Sequence, residues 1–313
     1  MEVTPPEQGE PTSEIEITKA LLRDWPIPQP RPEGDKEDRG RLLLVGGSQE
    51  MPGAIILAAT AALRAGAGKV QVATCASIAP LVAGTLLEGR VFAMPETRGG
   101  GVAPAAAAAI IERGLQADAV LIGPGLVDEQ SICGLLDRLL PGLVGVPLLL
   151  DAGALTALGG LHDHVAASGE SIILSPHAGE MASLLRCERE QVTRDVVRAI
   201  RKAVGQFKVN VVLKGAETLL AVPDGRLYRH RAGDVGLATG GSGDTLAGLM
   251  GGLMARGASP PQAAAWAVYV HARAGERLAR SIGPLGFLAR ELLPEFPRLL
   301  AELGTHDVEG GSD

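Results

Sequence analysis

Aromatic side chains are scarce in this sequence: two Trp, two Tyr and four Phe make up 3% of 313 residues. The core must therefore be filled by Ala, Val, Leu and Ile, and 42 glycines imply many tight turns. Cysteine is nearly missing too. Cys75, Cys133 and Cys187 are scattered, an odd set without metal-ligand spacing. That excludes a disulfide scaffold and a zinc cage, and it suits a reducing, cytoplasmic setting. Positive charge is not in excess either. The formal net charge is −7, so the basic footprint of a nucleic-acid-binding protein is lacking. No apolar run is long enough for a membrane: the longest uncharged one, "GAIILAATAAL", stops at Arg64 and cannot span a bilayer. The opening "MEVTPPEQGEPTSEIE" is acidic and Pro-rich, the opposite of a signal or transit peptide. An acidic chain of this kind binds a phosphorylated small molecule through local donors only. These are backbone N–H groups, helix N-termini and a few Lys, Arg or His.

What is present has the balance of a soluble globular protein, with 46% hydrophobic and 21% charged residues. Three segments are expected: a polar leader over residues 1–38, one domain over 39–303, and a disordered tail over 304–313. The leader is expected to wrap or float, with a short helix in "SEIEITKALLRDW". In the domain, short apolar runs alternate with helical ones. The strand candidates are "RLLLVG", "KVQVATC", "AVLIGPG", "VPLLLDAG", "SIILSP" and "VNVVLKG". Continuously apolar strands are buried on both faces, and alternation with helices implies a mostly parallel sheet. The expected fold class is α/β, a three-layer α/β/α arrangement.

Nearly every strand candidate ends in Gly, Asp, His or Lys, as in "VGGS", "IGPG", "LDAG", "SPHAGE" and "LKGAET". Ligands in open α/β sheets sit outside the carboxyl ends of the strands, so this punctuation falls where a site belongs.

The richest of these stretches is "ATGGSGDTLAGLMGGL", Ala238 to Leu253. Its glycines let the backbone approach a ligand, and the helix that follows turns free N–H groups toward an anion. Asp244 at that point has two readings. It takes a proton from a substrate hydroxyl while the amides hold the transferred phosphoryl group, or it caps the helix. "VVLKGAET" puts Lys214 after a strand, either beside a nucleotide phosphate or solvated at a turn. "LSPHAGEM" sets His177 and Glu180 three apart at a helix start. They serve a substrate and a metal-bound water, or they are a turn residue and a favourable N-terminal acid. "VGGSQEMPGA" and "IGPGL" are Gly-rich loops but match neither the dinucleotide fingerprint nor the P-loop. Trp266 and Tyr269 read as packing on an Ala-rich helix.

In this order and at these separations, "GRLLLVGGSQEMPGAIILAATAALRAGAGKVQVAT", "IGPGL", "LSPHAGE", "VVLKGAET" and "ATGGSGDTLAGLMGGLMARG" resemble the NAD(P)H-hydrate dehydratase family of the ribokinase-like superfamily. The resemblance runs from about residue 40 to about residue 300. It looks like the stand-alone form, without the epimerase domain of bifunctional members. The resemblance implies cofactor repair. ADP or ATP phosphorylates the hydroxyl of (S)-NAD(P)H hydrate (NADHX or NADPHX), phosphate leaves, and the dihydronicotinamide ring returns, with Mg²⁺ assisting. It also implies a homo-oligomer, often a tetramer. Carried onto this chain, Asp244 is the general base and Gly243 lies against the nucleotide phosphate. Lys214, Gly215, Ala216, Glu217 and Thr218 line the nucleotide. Ala54, Gly125 and His177 contact the hydrated dinucleotide, and Glu180 stands near Mg²⁺ through a water.

Four positions depart from the family pattern. Ser242 replaces a usual Thr, Gly153 a usual Asp, Val127 a usual Gly, and Met51 a frequent aromatic. Two other functions use the same features. A ribokinase-like kinase for a vitamin precursor would release the phosphomonoester, and a catalytically dead nucleotide-binding regulator would show no turnover.

Overall fold

The computed structural model describes residues 14–31, 33 and 35–304. Ten strands form one sheet: β1 (Glu14–Glu16), β2 (Arg41–Val45), β3 (Lys69–Cys75), β4 (Arg90–Met94), β5 (Ala119–Ile122), β6 (Leu148–Leu150), β7 (Ile172–Leu174), β8 (Asn210–Leu213), β9 (Thr218–Ala221) and β10 (Leu227–His230). Their spatial order is β1-β10-β9-β8-β7-β6-β5-β2-β3-β4, with helices on both sides. Only β9 runs against the rest. β2, β5, β6, β7 and β8 are apolar and buried almost throughout, as strands covered on both faces must be.

The chain runs outward through β2, β3 and β4, then returns to place β5 on the other side of β2. The sheet therefore has its switch point between β2 and β5, where a crevice opens beyond the strand ends. Two helices fix the loops around that crevice. The Pro52–Arg64 helix follows β2, and the Ser242–Ala255 helix lies across it. A Cβ on Gly248 would sit 2.0 Å from the Ala58 carbonyl oxygen, so glycine alone permits this approach.

The stretch from Arg189 to Phe207 forms two helices, Arg189–Arg194 and Val196–Phe207. Asp195 divides them, because its carboxylate caps the second by accepting from Arg198 N at 2.9 Å. The leader also differs from a floating tail over its described part. β1 pairs in parallel with β10, and the helix Lys19–Asp24 follows it. Ile17, Leu22 and Ile27 are buried. The Trp25 carbonyl accepts from Trp266 Nε1 at 2.8 Å. A mostly polar segment is thus held by three apolar anchors and edge pairing. Residues 1–13 and 305–313 lie outside the described residues.

Candidate active site

The Ser242–Ala255 helix opens behind Gly241, whose φ of +89° favours glycine, and Gly241 packs against Leu57 and Ala289. Gly243 and Asp244 fall in its first turn, where N–H groups have no carbonyl one turn back. The cap residue is Gly241, which has no side chain to cap the helix, and Asp244 stands three positions after it. Of its two readings, the plain cap is set aside. Its carboxyl is pushed up to about 6, first by burial and then by the charge of Asp151. Glu180 adds to this and Lys214 opposes it.

Lys214 leaves the end of β8 and reaches toward this turn. A Cβ on Gly243 would stand 3.7 Å from the ammonium. Lys214 is not a solvated turn residue: its Nζ donates to Asp151 Oδ1 at 2.6 Å and lies 3.9 Å from Glu180 Oε2. Burial pulls the ammonium down, but Asp151, Glu180 and Asp244 together outweigh it and hold Lys214 above its ordinary range. Asp151, at the end of β6, also accepts from Ser175 Oγ at 2.7 Å. The turn that presents it forces Ala152 to a φ of +46°, a strained conformation for a residue with a Cβ.

His177 and Glu180 both face this cluster and both cap the Ala178–Leu185 helix. His177 Nδ1 accepts from Gly179 N at 3.0 Å and from Glu180 N at 3.1 Å, while Glu180 Oε2 accepts from His177 N at 2.8 Å. The two residues are one capping box, so their structural role is real and leaves the His177 Nε2 side exposed. A backbone bridge sets His177 beside Lys214.

The residues that the resemblance assigns to the dinucleotide after β2 and β5, Ala54 and Gly125, also come together. A Cβ on Gly125 would meet the Met51 carbonyl oxygen at 2.6 Å, Gly47 Cα at 3.0 Å and Ala54 Cβ at 3.2 Å. Gly47 N donates to the Pro124 carbonyl at 2.8 Å, joining the loops after β2 and β5 at the switch point. Gly215, Ala216 and Glu217 form the exposed turn between β8 and β9, and Thr218 opens β9. The Glu217 side chain is committed elsewhere, paired with Arg229 and with Arg231 at 3.6 Å. Arg229 also holds Glu14 of β1. The Glu217 carboxylate therefore ties this turn to β10 and, through Arg229, to β1.

Three participants were not singled out from sequence. Asp151 and Ser175 organise Lys214, and "LDAG" carried the signal as an acid at a strand end. His271 is the third. It is buried, with Nε2 at 3.1 Å from the Ser242 carbonyl and 3.2 Å from the Ser242 hydroxyl. A carbonyl accepts only, so His271 carries its proton on Nε2. Burial lowers its pKa to about 4, with Lys214 acting in the same direction and the Ser242 bond opposing. A neutral imidazole thus holds the turn that carries Asp244.

The departure at Gly153 has a steric cause. A Cβ there would lie 2.1 Å from the Leu126 carbonyl oxygen, so the loop ending in Leu126 and Val127 fills the space. Among the described residues no group of three or more His, Cys, Asp or Glu forms a metal cage. Carboxylate oxygens of the kind that Glu180 carries suit a hard cation. Mg²⁺ is commonly held by one or two carboxylates, waters and substrate phosphates.

Comparison with known proteins gives a consistent result. The family model described as NAD(P)H-hydrate dehydratase matches residues 42–298. An ADP-dependent (S)-NAD(P)H-hydrate dehydratase of Xanthomonas campestris is 45% identical over 291 residues, covering 92% of this chain and 96% of that protein. The crystal structure of the ADP/ATP-dependent NAD(P)H-hydrate dehydratase of Bacillus subtilis, co-crystallised with ATP/Mg²⁺, is similar at a TM-score of 0.77 and 27% identity, over 93% of this chain and 99% of that one. A ribokinase-like superfamily protein of Enterococcus faecalis is similar at a TM-score of 0.80 and 25% identity, over 96% and 99%.

Proposed function

The chain belongs to the NAD(P)H-hydrate dehydratase family, and from that premise we propose that it repairs hydrated nicotinamide cofactors by ADP-dependent dehydration of (6S)-NAD(P)H hydrate. The observation that carries this reading is Asp244 at the mouth of the Ser242–Ala255 helix, its carboxyl raised to about 6 beside the Lys214 ammonium. Such a carboxylate is mostly ionised at neutral pH yet basic enough to accept a hydroxyl proton in the transition state.

In this reading Asp244 takes the proton of the hydrate hydroxyl as its oxygen attacks the terminal phosphoryl group of the nucleotide. The amides of Gly243 and Asp244 face the charge that develops on that group. The phosphorylated hydrate then loses phosphate, which is a far better leaving group than hydroxide. The nitrogen lone pair of the ring expels it, the proton on the neighbouring carbon is released, and the dihydronicotinamide returns. Lys214, Gly215, Ala216, Glu217 and Thr218 border the nucleotide, Glu217 through its backbone. Ala54, Gly125 and His177 border the dinucleotide at the switch point. A divalent cation, Mg²⁺ by the chemistry of the donors, would be held near Glu180 through water and would neutralise phosphate charge.

No helix among the described residues is long and apolar enough to cross a membrane. Three free cysteines support a cytoplasmic setting. The exposed apolar side chains Val235, Ile282, Leu285 and Leu288 support a homo-oligomer, a tetramer by family habit.

The test incubates the protein with NADH hydrate, Mg²⁺ and ADP or ATP, and follows dihydronicotinamide absorbance and free phosphate. The expected result is both products with the wild type and a loss of about 10²-fold or more in Asp244→Asn. Binding of nucleotide with no rise in absorbance would sink the dehydratase reading and return the vitamin-kinase substrates to the bench.

A further inference from the structure

A cavity of about 480 Å³ opens at the end of the sheet opposite the active site. Arg41 begins β2, Lys69 begins β3 and Arg90 begins β4, and all three line it together with Lys36. The same strands end at Val45, Cys75 and Met94. β3, with seven residues, separates the two ends by roughly 20 Å. The volume falls among those of small-molecule sites, about 300–1,000 Å³.

Its wall is cationic in a protein whose net charge is −7. Four cations face Glu88 there, with Glu37 beside them pairing with Arg41 and Lys69. Lys36 and Arg90 have no ion-pair partner among the described residues. The cavity continues into a groove lined by Arg90, Phe92, Glu112 and Arg113. There the guanidinium carbons of Arg90 and Arg113 lie 4.9 Å and 4.2 Å from the Phe92 centroid.

Two donor atoms are also left over. The Nε groups of Arg41 and Arg113 are buried and bond to nothing, although Arg41 Nη1 reaches the Gln116 carbonyl at 3.0 Å and Arg113 Nη1 the Ala109 carbonyl at 2.7 Å. Buried donors without acceptors are uncommon in folded proteins. The site is built rather than incidental, because residues 35–39 are strapped over the start of β3. Gly68 N donates to the Arg39 carbonyl at 3.0 Å, and a Cβ on Gly68 would stand 1.9 Å from the Lys36 carbonyl oxygen.

We propose that this cavity is a second ligand site, for a small molecule bearing a chain of phosphoryl groups. Guanidinium and ammonium groups match phosphate oxygens in geometry and charge. The proposal stands apart from the catalytic reading, since none of these residues belongs to the active site.

The test is calorimetric titration of inorganic tripolyphosphate into the full chain without nucleotide, since ADP itself carries a phosphoryl chain and would compete. One equivalent is expected to bind at this cavity, more weakly as salt rises. Arg90→Glu and Lys36→Glu should each weaken it by roughly tenfold or more, the size of a lost charge-assisted contact. Asp244→Asn should leave it unchanged. Thermal melts check that both variants fold, and Arg90→Gln serves should Arg90→Glu not fold. A parallel titration with CTP separates the sources. Tighter binding than tripolyphosphate assigns a nucleotide, and equal binding assigns the phosphate chain alone. No tripolyphosphate binding, or binding indifferent to the substitutions, overturns the proposal.

Discussion

The Lys214 ammonium donates to the buried carboxylate of Asp151 at 2.6 Å, across the end of the strand that separates β8 from β6. That strand, β7, contributes Ser175 to the same carboxylate. Three neighbouring strand ends thus converge on one ion pair, and the pair faces Asp244. The reactivity of Asp244 is therefore set by two opposed neighbours. Asp151 raises its pKa and Lys214 lowers it, on top of the rise due to burial.

This opposition gives a pH signature. The dehydratase rate should rise with pH through about 6, as Asp244 ionises. Lys214→Met removes the lowering influence, so what activity survives should have its acid limb moved upward by on the order of one pH unit. Asp151→Asn removes a raising influence and should move the limb the other way. A pH–rate profile of kcat/KM for the three proteins checks it. Shifts in the same direction would refute the electrostatic account.

Breaking the pair should also cost stability. Asp151→Ala leaves the Lys214 cation buried beside weaker partners, and removing one member of a buried pair costs roughly 3–5 kcal/mol. Denaturant titration should show that loss in the wild type against Asp151→Ala. The double variant Asp151→Ala/Lys214→Met should regain part of it.

Much of this was legible in the sequence. β2, β3, β5, β6, β7 and β8 stand out because buried parallel strands are apolar on both faces. β4 is "RVFAM", partly exposed, and β10 is "LYRH". β4 has an apolar run after Arg90 but lies at the sheet edge, β10 breaks its run with Arg229 and His230, and β1 is only "EIE". Their pairing comes from distant partners, which local pattern does not display. Asp244, Lys214, His177 and Glu180 were visible as strand-end and helix-start punctuation. The contact between Lys214 and Asp151 spans 63 positions, and only the strand order makes them neighbours.

Putting the acid that the resemblance suggests at position 153 should harm this protein. Gly153→Asp drives a Cβ into the Leu126 carbonyl, a backbone atom that cannot swing aside. The expected cost is about 1–3 kcal/mol of overpacking. A lower Tm should accompany a raised KM for the hydrate, because the same loop carries Gly125. Replacing Val127 with Gly in that background should recover part of both if the loop can then withdraw.

His271 should shape acid stability. Its folded pKa is about 4, below the ordinary 6.5. Between those values the unfolded chain binds the proton that the folded chain refuses, so stability falls as pH drops from about 6.5 to about 4. The full effect is on the order of 3 kcal/mol. His271→Gln has no such proton to refuse, and its stability should vary less over that window. Urea midpoints at pH 7 and pH 4.5 provide the comparison. An equal slope in both proteins would argue against the neutral, buried ring.

The edge pairing of β1 also bears on the order in which the protein is made. The Ile17 carbonyl meets the His230 ring 213 positions along the chain. At a synthesis rate of about 5–20 residues per second, the first strand leaves the ribosome roughly ten to forty seconds before its partner exists. Until then Ile17 lacks its partner in β10, and β1 joins the sheet late.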